Sequence, residues 1–100
     1  MGQAQPVKVR FTPRALAELA AILDFVAERS PTGARRIQYR IRTLIELLPD
    51  FPHSGQLTSV ERLRRLVVIP FPYVIFYRPD ADDIVIVSLR HTAREPELRP

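Results

Sequence analysis

The C-terminal third of this chain constrains its fold more than any other segment. Three apolar runs rich in Val and Ile follow one another there, at 63–69, 73–79 and 84–89. Prolines at 70 and 72 separate the first two runs, and the acidic turn 80–83 separates the second from the third. Short β-branched runs joined by turn residues are typical of neighbouring antiparallel strands. We therefore predict a three-stranded antiparallel meander.

A strand and a helix are predicted near the N-terminus. Residues 7–11 alternate apolar and basic side chains, as a strand with one buried face does. Thr12 then offers an N-cap oxygen, and Pro13 occupies the first helical position, where a missing N–H costs nothing. The helix is expected to run to about Arg29. Its apolar stripe has spacings of three and four residues and consists of Leu16, Leu19, Leu23 and Val26.

A second helix follows almost at once. Ser30 and Pro31 repeat the cap-then-proline signal, and Pro49 and Pro52 end the apolar pattern. Two helices joined by so short a turn form an antiparallel hairpin. The stripe of this second helix consists of Ala34, Ile37, Ile41, Leu44, Ile45 and Leu48. Both stripes are too narrow for fully buried helices, so each needs a sheet to cover it.

These elements predict an α+β fold with the order β-α-α-β-β-β. A helical hairpin packs on a small antiparallel sheet as a two-layer sandwich, and the first strand joins the same sheet. The segment 51–57 is expected to be an irregular loop because it contains Pro52 and Gly55. We expect one domain over 7–95, flanked by tails at 1–6 and 96–100.

Composition narrows the function classes. Fifteen basic and eleven acidic residues leave a net charge of +4, and all but Lys8 of the basic residues are Arg. This balance favours an acidic partner, either a protein or a nucleic acid. The chain has no Cys and no apolar run of the roughly 20 residues that a bilayer span needs. We expect a cytoplasmic protein with no cofactor and no metal site.

Three cations follow the last predicted strand: Arg90, His91 and Arg94. Strict alternation places Arg90 on the face of residues 84, 86 and 88, and His91 on the face of 85, 87 and 89. Cations at the rim of a sheet can meet a phosphate or a carboxylate of a partner. In the alternative interpretation, His91 closes a hydrogen bond to the adjacent loop, and Arg94 pairs with a glutamate at 95 or 97.

Two adjacent arginines open the meander, and alternation sends them to opposite faces. One of Arg64 and Arg65 then meets the helices, where it needs an acid such as Glu46 or Asp50, because an unpaired buried charge is costly. The outward one could form a basic strip with two further arginines of the sheet, Arg78 and Arg90, although a simple solvated sheet face explains these residues better.

The order of motifs over about residues 7–95 resembles the ParE branch of the RelE/ParE toxin superfamily. The resemblance rests on Arg65-Leu66, on the run 72–77 with the sequence Pro-Tyr-Val-Ile-Phe-Tyr, and on His91-Thr-Ala-Arg94. It implies a non-enzymatic type II toxin that inhibits DNA gyrase, arrests growth, serves in plasmid stabilisation and is neutralised by a ParD-like antitoxin.

The resemblance also implies which residues meet each partner. The target-contact residues are expected to be the three rim cations, Arg90, His91 and Arg94. The antitoxin is expected to fold over the helical hairpin and the sheet edge, and the residues expected to contact it are Leu16, Leu19, Leu23, Ile37, Arg40, Tyr73 and Tyr77. The two tyrosines are alternatively core residues beside a neighbouring strand.

A ribosome-dependent mRNA endonuclease of the RelE branch is the alternative function. Its phosphate-contacting residues are expected to be Arg65, Arg78 and His91. The sequence departs from that branch, since Tyr73 or Val74 stands where such relatives carry an arginine, and no tyrosine follows His91. We therefore expect the gyrase toxin rather than the nuclease.

The second helix is the most basic predicted element, with Arg35, Arg36, Arg40 and Arg42. It lacks a recognition-helix motif and interleaved aromatic residues, so sequence-specific DNA binding by the chain alone is not expected. Contact with an acidic antitoxin segment, or simple solvation, explains these arginines better.

Overall fold

The computed structural model describes residues 7–94, which form two helices packed on a five-stranded sheet. In chain order the elements are β1 (Lys8–Phe11), α1 (Pro13–Arg29), α2 (Pro31–Leu47), β2 (Gln56–Leu57), β3 (Arg64–Val67), β4 (Tyr73–Pro79), β5 (Asp83–His91) and a 3-10 turn (Thr92–Arg94). The predicted α+β class, helical hairpin and meander are confirmed. The predicted tails, with the glutamates at 95 and 97, lie outside the described residues.

Both predicted helix starts are confirmed by their caps. The Thr12 hydroxyl oxygen accepts a hydrogen bond from the Ala15 N–H at 3.0 Å, and the Ser30 oxygen accepts one from the Gly33 N–H at 2.9 Å. Ser30 is at once the C-cap of α1 and the N-cap of α2. A single residue therefore separates the two helices, which produces the tight hairpin.

The sheet differs from the prediction in two ways. Its strand order is β1-β5-β4-β3-β2, and β1 pairs in parallel with β5, so the sheet is mixed rather than antiparallel throughout. The segment predicted as an irregular loop also contains β2, which pairs with β3 through Gln56 and Leu57. Pro52 and Gly55 precede this short strand, so they do not interrupt its ladder.

The core lies between α2 and the face of the sheet that meets the helices. From α2 and its end it includes Ile37, Ile41, Ile45 and Leu48, and from the sheet it includes Tyr73, Ile75, Tyr77, Ile84, Ile86 and Leu89. The first helix contributes less, because Ala15 is its only buried residue. The unequal burial of the two helices leaves apolar side chains of α1 partly in solvent.

A register shift in β5 overturns the predicted alternation. Phe76 pairs with Ser88, but the next residue of β4, Tyr77, pairs with Ile86, so Val87 is an extra residue in β5. Such a bulge reverses which side chains point to each face beyond it. Leu89 and His91 therefore lie on the helix-facing side, and Ser88 and Arg90 on the opposite side, contrary to the strict alternation expected from the sequence.

Among residues 7–94, no helix is both long enough and apolar enough to cross a membrane.

Candidate functional site

A groove of about 790 Å³ lies where the outer flank of α1 meets the C-terminal end of β5. Its α1 wall is formed by Glu18, Ala21, Ile22 and Phe25. Its other wall is formed by Tyr73, Leu89, Arg90, His91, Ala93 and Arg94. The groove therefore combines an apolar floor with the three cations that the sequence placed at the end of the last strand. The structure brings all three of these cations together.

Glu18 organises the open edge of β5, a role that the sequence did not reveal. The parallel partner β1 covers β5 only from Asp83 to Ile86. Beyond it, Glu18 Oε1 accepts hydrogen bonds from the Ser88 hydroxyl at 2.8 Å and from the Leu89 N–H at 3.1 Å. A side-chain carboxylate thus takes the place that a neighbouring strand would occupy.

The same carboxylate sets the position of Arg90. Glu18 Oε2 lies 3.9 Å from Arg90 Nε and 3.5 Å from Arg14 Nε. Arg90 Nε also donates to the Ser88 oxygen at 3.1 Å. The pair of Arg14 and Glu18 has the i, i+4 spacing of a helix-surface ion pair, but Glu18 is not a purely solvated surface residue. No sequence signal marks Glu18, because the contact joins residues 70 positions apart.

His91 is held by two contacts at the end of β5. Its Nδ1 accepts a hydrogen bond from the Ala93 N–H at 3.0 Å, so a neutral ring carries its proton on Nε2. Its ring also meets Tyr73 edge to face, with 5.4 Å between centroids. The predicted hydrogen bond to the adjacent turn is confirmed, and the same ring lines the groove.

Phe25 forms an exposed apolar wall of the groove. Its side chain is 56% exposed, and the Arg29 guanidinium lies 4.4 Å from the ring centroid. An arginine stacked on one ring face leaves the remainder of that ring to solvent or to a partner. The exposed part of this ring adds apolar area to the groove.

Comparisons with known proteins place these features in a family. The family model described as the ParE toxin of the type II toxin–antitoxin system, parDE, matches residues 9–96. A relative named Toxin RelE2, from Caulobacter vibrioides, is 46% identical over 88 residues, which cover 87% of this chain and 97% of the relative. A second, named Putative toxin Y4kP, from Sinorhizobium fredii, is 32% identical and is covered over 91% of its length. The chain belongs to the ParE toxin family.

The fold of this ParE-family toxin also matches a solved structure described as the chromosomal ParDE TA system from P. aeruginosa. The TM-score is 0.75 at 22% sequence identity, and the match covers 88% of this chain and 98% of the other. At this identity the likeness shows the shared fold alone. It agrees with the helical hairpin and sheet described above.

The structure places the residues predicted to contact an antitoxin in unequal environments. Leu16 is 53% exposed, while Leu19 and Leu23 are partly buried against the core. These three therefore remain predictions. Arg40 donates from Nε to the Ile69 carbonyl oxygen at 2.8 Å, which ties α2 to the loop between β3 and β4.

Three other residues predicted to contact an antitoxin have buried side chains in the isolated chain. Tyr77 is 0% exposed, Ile37 is 5% exposed and Tyr73 is 7% exposed. Tyr77 and Ile37 point into the core, so the alternative core interpretation of Tyr77 is the right one. Tyr73 still lines the groove beside His91, although little of its surface meets solvent.

The residues predicted for the alternative nuclease function, Arg65, Arg78 and His91, do not all lie on one face of the sheet. Arg65 pairs with Phe76, Arg78 with Val85 and Arg90 with Val74 in the strand register. These three arginines therefore share the face opposite the helices, as the predicted basic strip required. His91 pairs with Tyr73 on the helix-facing side, so the sheet separates it from Arg65 and Arg78.

Arg64 is the arginine that faces the helix layer, but it pairs with no acid in the part of the chain that the structure describes. It donates from Nη1 to the carbonyl oxygens of Gly55 at 2.8 Å and His53 at 3.2 Å. The expected partners Glu46 and Asp50 are not used. Backbone carbonyls of the loop satisfy the guanidinium instead.

Proposed function

We propose that this ParE-family toxin acts on DNA gyrase and is neutralised by a ParD-like antitoxin, whose segment folds into the groove between α1 and β5. The observation that carries the proposal is the combination of an exposed apolar wall with a cationic rim in one groove. A partner segment with apolar side chains and nearby carboxylates complements both features. The family membership supports an antitoxin partner of this kind.

The incomplete burial of α1 supports a partner that covers it. Leu16 and Phe25 are each more than half exposed on a helix with a single buried residue. Exposed apolar area on a small protein favours association, and a disordered segment can bury such area by folding as it binds. The cations at the rim then supply orientation and register.

The division of the basic residues between two faces favours gyrase over the ribosome as the target. Nuclease chemistry needs cations and an acid–base group converging on one phosphate. Here His91 lies on the helix-facing side, and Arg65 and Arg78 lie on the other. The relative named Toxin RelE2 keeps the mRNA endonuclease as the second candidate, and the experiment below separates the two.

Controlled expression of the chain alone tests the target. We expect gyrase-dependent DNA breaks and induction of the SOS response, with ribosome-bound transcripts intact. Cleavage of transcripts at ribosomal A sites without DNA breaks would reverse the assignment.

A variant pair tests the groove cations. The double variant His91→Ala, Arg94→Ala is expected to lower toxicity at least tenfold, because both residues belong to the rim that we expect to contact the target. The control Arg10→Ala, Arg62→Ala removes two exposed cations outside the groove and is expected to leave toxicity unchanged. Circular dichroism checks that both variants fold. Equal toxicity of the two variants would contradict a role for the rim.

The antitoxin part of the proposal is tested separately, by calorimetry with the protein encoded beside the toxin gene. Phe25→Asp places a charge on the apolar wall and is expected to weaken binding strongly. Asp24→Ala changes an exposed neighbour outside the groove lining and serves as the control. If the Phe25→Asp variant binds the antitoxin with unchanged affinity, the antitoxin binds at a surface other than this groove.

A further inference from the structure

Helix α2 carries most of the net charge of the chain. Its four arginines and single glutamate contribute +3, whereas the whole chain has a net charge of +4. Helical spacing places Arg36 and Tyr39 near the centre of the face opposite the buried stripe, with Arg35 and Arg42 on its flank. All four side chains are exposed, and Tyr39 is 71% exposed. We call these four residues the α2 basic face.

Five arginines elsewhere in the described residues have a carboxylate partner, whereas those of α2 have none there. The ion pairs within residues 7–94 join Arg10 to Asp83, Arg14 and Arg90 to Glu18, and Arg62 and Arg78 to Asp80. Over the same residues, no arginine of α2 has a carboxylate partner. Arg35 donates only to the Thr32 hydroxyl oxygen at 3.3 Å. The guanidinium groups of the α2 basic face are therefore available to an external anion.

We infer that the α2 basic face binds the phosphate backbone of duplex DNA without regard to sequence. Arginine offers a planar fork of donors that matches phosphate oxygens, and tyrosine hydroxyls also contact phosphates. From residue 35 to residue 42 the helix rises by about 10 Å. One DNA strand presents a phosphate about every 3.4 Å along its axis, so roughly three phosphates lie within that span.

The shape of this face distinguishes DNA from an acidic peptide. A peptide that docks on a helix or groove is held by apolar anchors in pockets. The apolar groove of this protein lies between α1 and β5, and none of its lining residues comes from α2. The α2 basic face presents charge and one aromatic ring, and it lies apart from this groove. Single-stranded RNA, in turn, is recognised by stacking on several aromatic side chains, and Tyr39 is the only aromatic residue of α2.

Fluorescence anisotropy of a labelled 20-base-pair duplex, titrated with the purified chain, tests the inference. With three phosphate contacts, the logarithm of affinity is expected to fall with the logarithm of salt at a slope of about −2.7, measured between about 10 and 100 mM NaCl. The variant Arg35→Gln, Arg36→Gln removes two contacts, so its slope is expected near −0.9 and its affinity at least tenfold lower at about 10 mM NaCl. Duplexes of unrelated sequence are expected to bind within about twofold of each other.

The control variant Arg10→Gln, Arg29→Gln lowers the net charge by the same amount but leaves α2 intact. It is expected to retain affinity within about twofold and to keep the parental slope. The inference would be overturned if the two variants lost equal affinity for the duplex. It would also be overturned if the chain did not bind the duplex at about 10 mM NaCl, or if it bound single-stranded RNA more tightly than the duplex.

A measurement with the antitoxin separates this inference from the proposed function. If the Arg35→Gln, Arg36→Gln variant loses affinity for the antitoxin while its DNA affinity is unchanged, the face binds protein and the inference fails. The anisotropy assay contains no gyrase, so its result does not depend on which target the toxin attacks.

Discussion

Tyr77 connects the sheet to the loop that precedes it through a single hydroxyl group. The hydroxyl donates to the Pro52 carbonyl oxygen at 2.8 Å and accepts from the Gly55 N–H at 2.9 Å. A Cβ atom added at Gly55 would lie 2.7 Å from the Tyr77 ring and 2.8 Å from the Arg65 carbonyl oxygen. The loop can therefore approach the sheet this closely only with glycine at position 55.

Replacement of Tyr77 by Phe is expected to lower the free energy of unfolding by about 1–3 kcal/mol, because it leaves a buried donor and a buried acceptor without partners. Urea denaturation measures the change. Tyr39→Phe is the matched control, since Tyr39 is 71% exposed, and it is expected to change stability by less than about 0.5 kcal/mol. A near-zero effect at Tyr77 would mean that water replaces the hydroxyl group.

At the scale of elements, β5 depends on two side chains from the start of α1 for its open edge. The Thr12 hydroxyl donates to the Val87 carbonyl oxygen at 3.0 Å, and Glu18 accepts from the Leu89 N–H. Side chains of the helix cap and of the first turns thus make hydrogen bonds with the β5 backbone beyond the point where β1 ends. This arrangement holds the end of β5 that carries Arg90 and His91 against the groove.

Glu18→Ala is expected to lower the free energy of unfolding by about 2 kcal/mol, because hydrogen bonds to a carboxylate are among the stronger ones. Glu18→Gln keeps an acceptor oxygen and is expected to lower the free energy of unfolding by less than Glu18→Ala does. Faster hydrogen exchange at the Leu89 amide, measured by NMR, reports the loss of this contact directly. The control Glu28→Ala alters an exposed carboxylate of the same helix that makes no ion pair within residues 7–94. Unchanged exchange at Leu89 in the Glu18→Ala variant would contradict this role.

At the scale of the whole molecule, the two helices bury their apolar stripes unequally. The α2 stripe supplies Ile37, Ile41 and Ile45 to the core, whereas α1 leaves Leu16 and Phe25 more than half exposed. The groove flank of α1 is therefore apolar at Phe25, Leu16 lies on the other flank of the same helix, and the outer face of α2 is basic. These two surfaces suit different partners.

The isolated chain is expected to self-associate with rising concentration, because exposed apolar area is a driving force for association. Light scattering over a concentration series measures the mass. The variant Leu16→Glu, Phe25→Glu is expected to shift the population towards monomer. A parental chain that stays monomeric throughout the series would contradict the proposed apolar partner surface.

The sequence by itself determined the parts of this protein that depend on local physical chemistry. Thr12 and Ser30 marked both helix starts, apolar spacing marked the helix stripes, and the Val-rich runs marked the three long strands of the meander. Each of these signals acts through neighbours within a few residues, so it can be recognised in the sequence alone. The family resemblance additionally predicted the order of the elements along the chain.

Only the tertiary structure decided the rest, because the deciding contacts join residues distant in sequence. The extra residue Val87 appears only when β5 is paired with β4, and it exchanges the faces of Arg90 and His91. Glu18 meets Ser88 across 70 positions. Pairing between β2 and β3 likewise depends on strand contact rather than on local composition. The groove exists because these long-range contacts bring the end of β5 to the flank of α1.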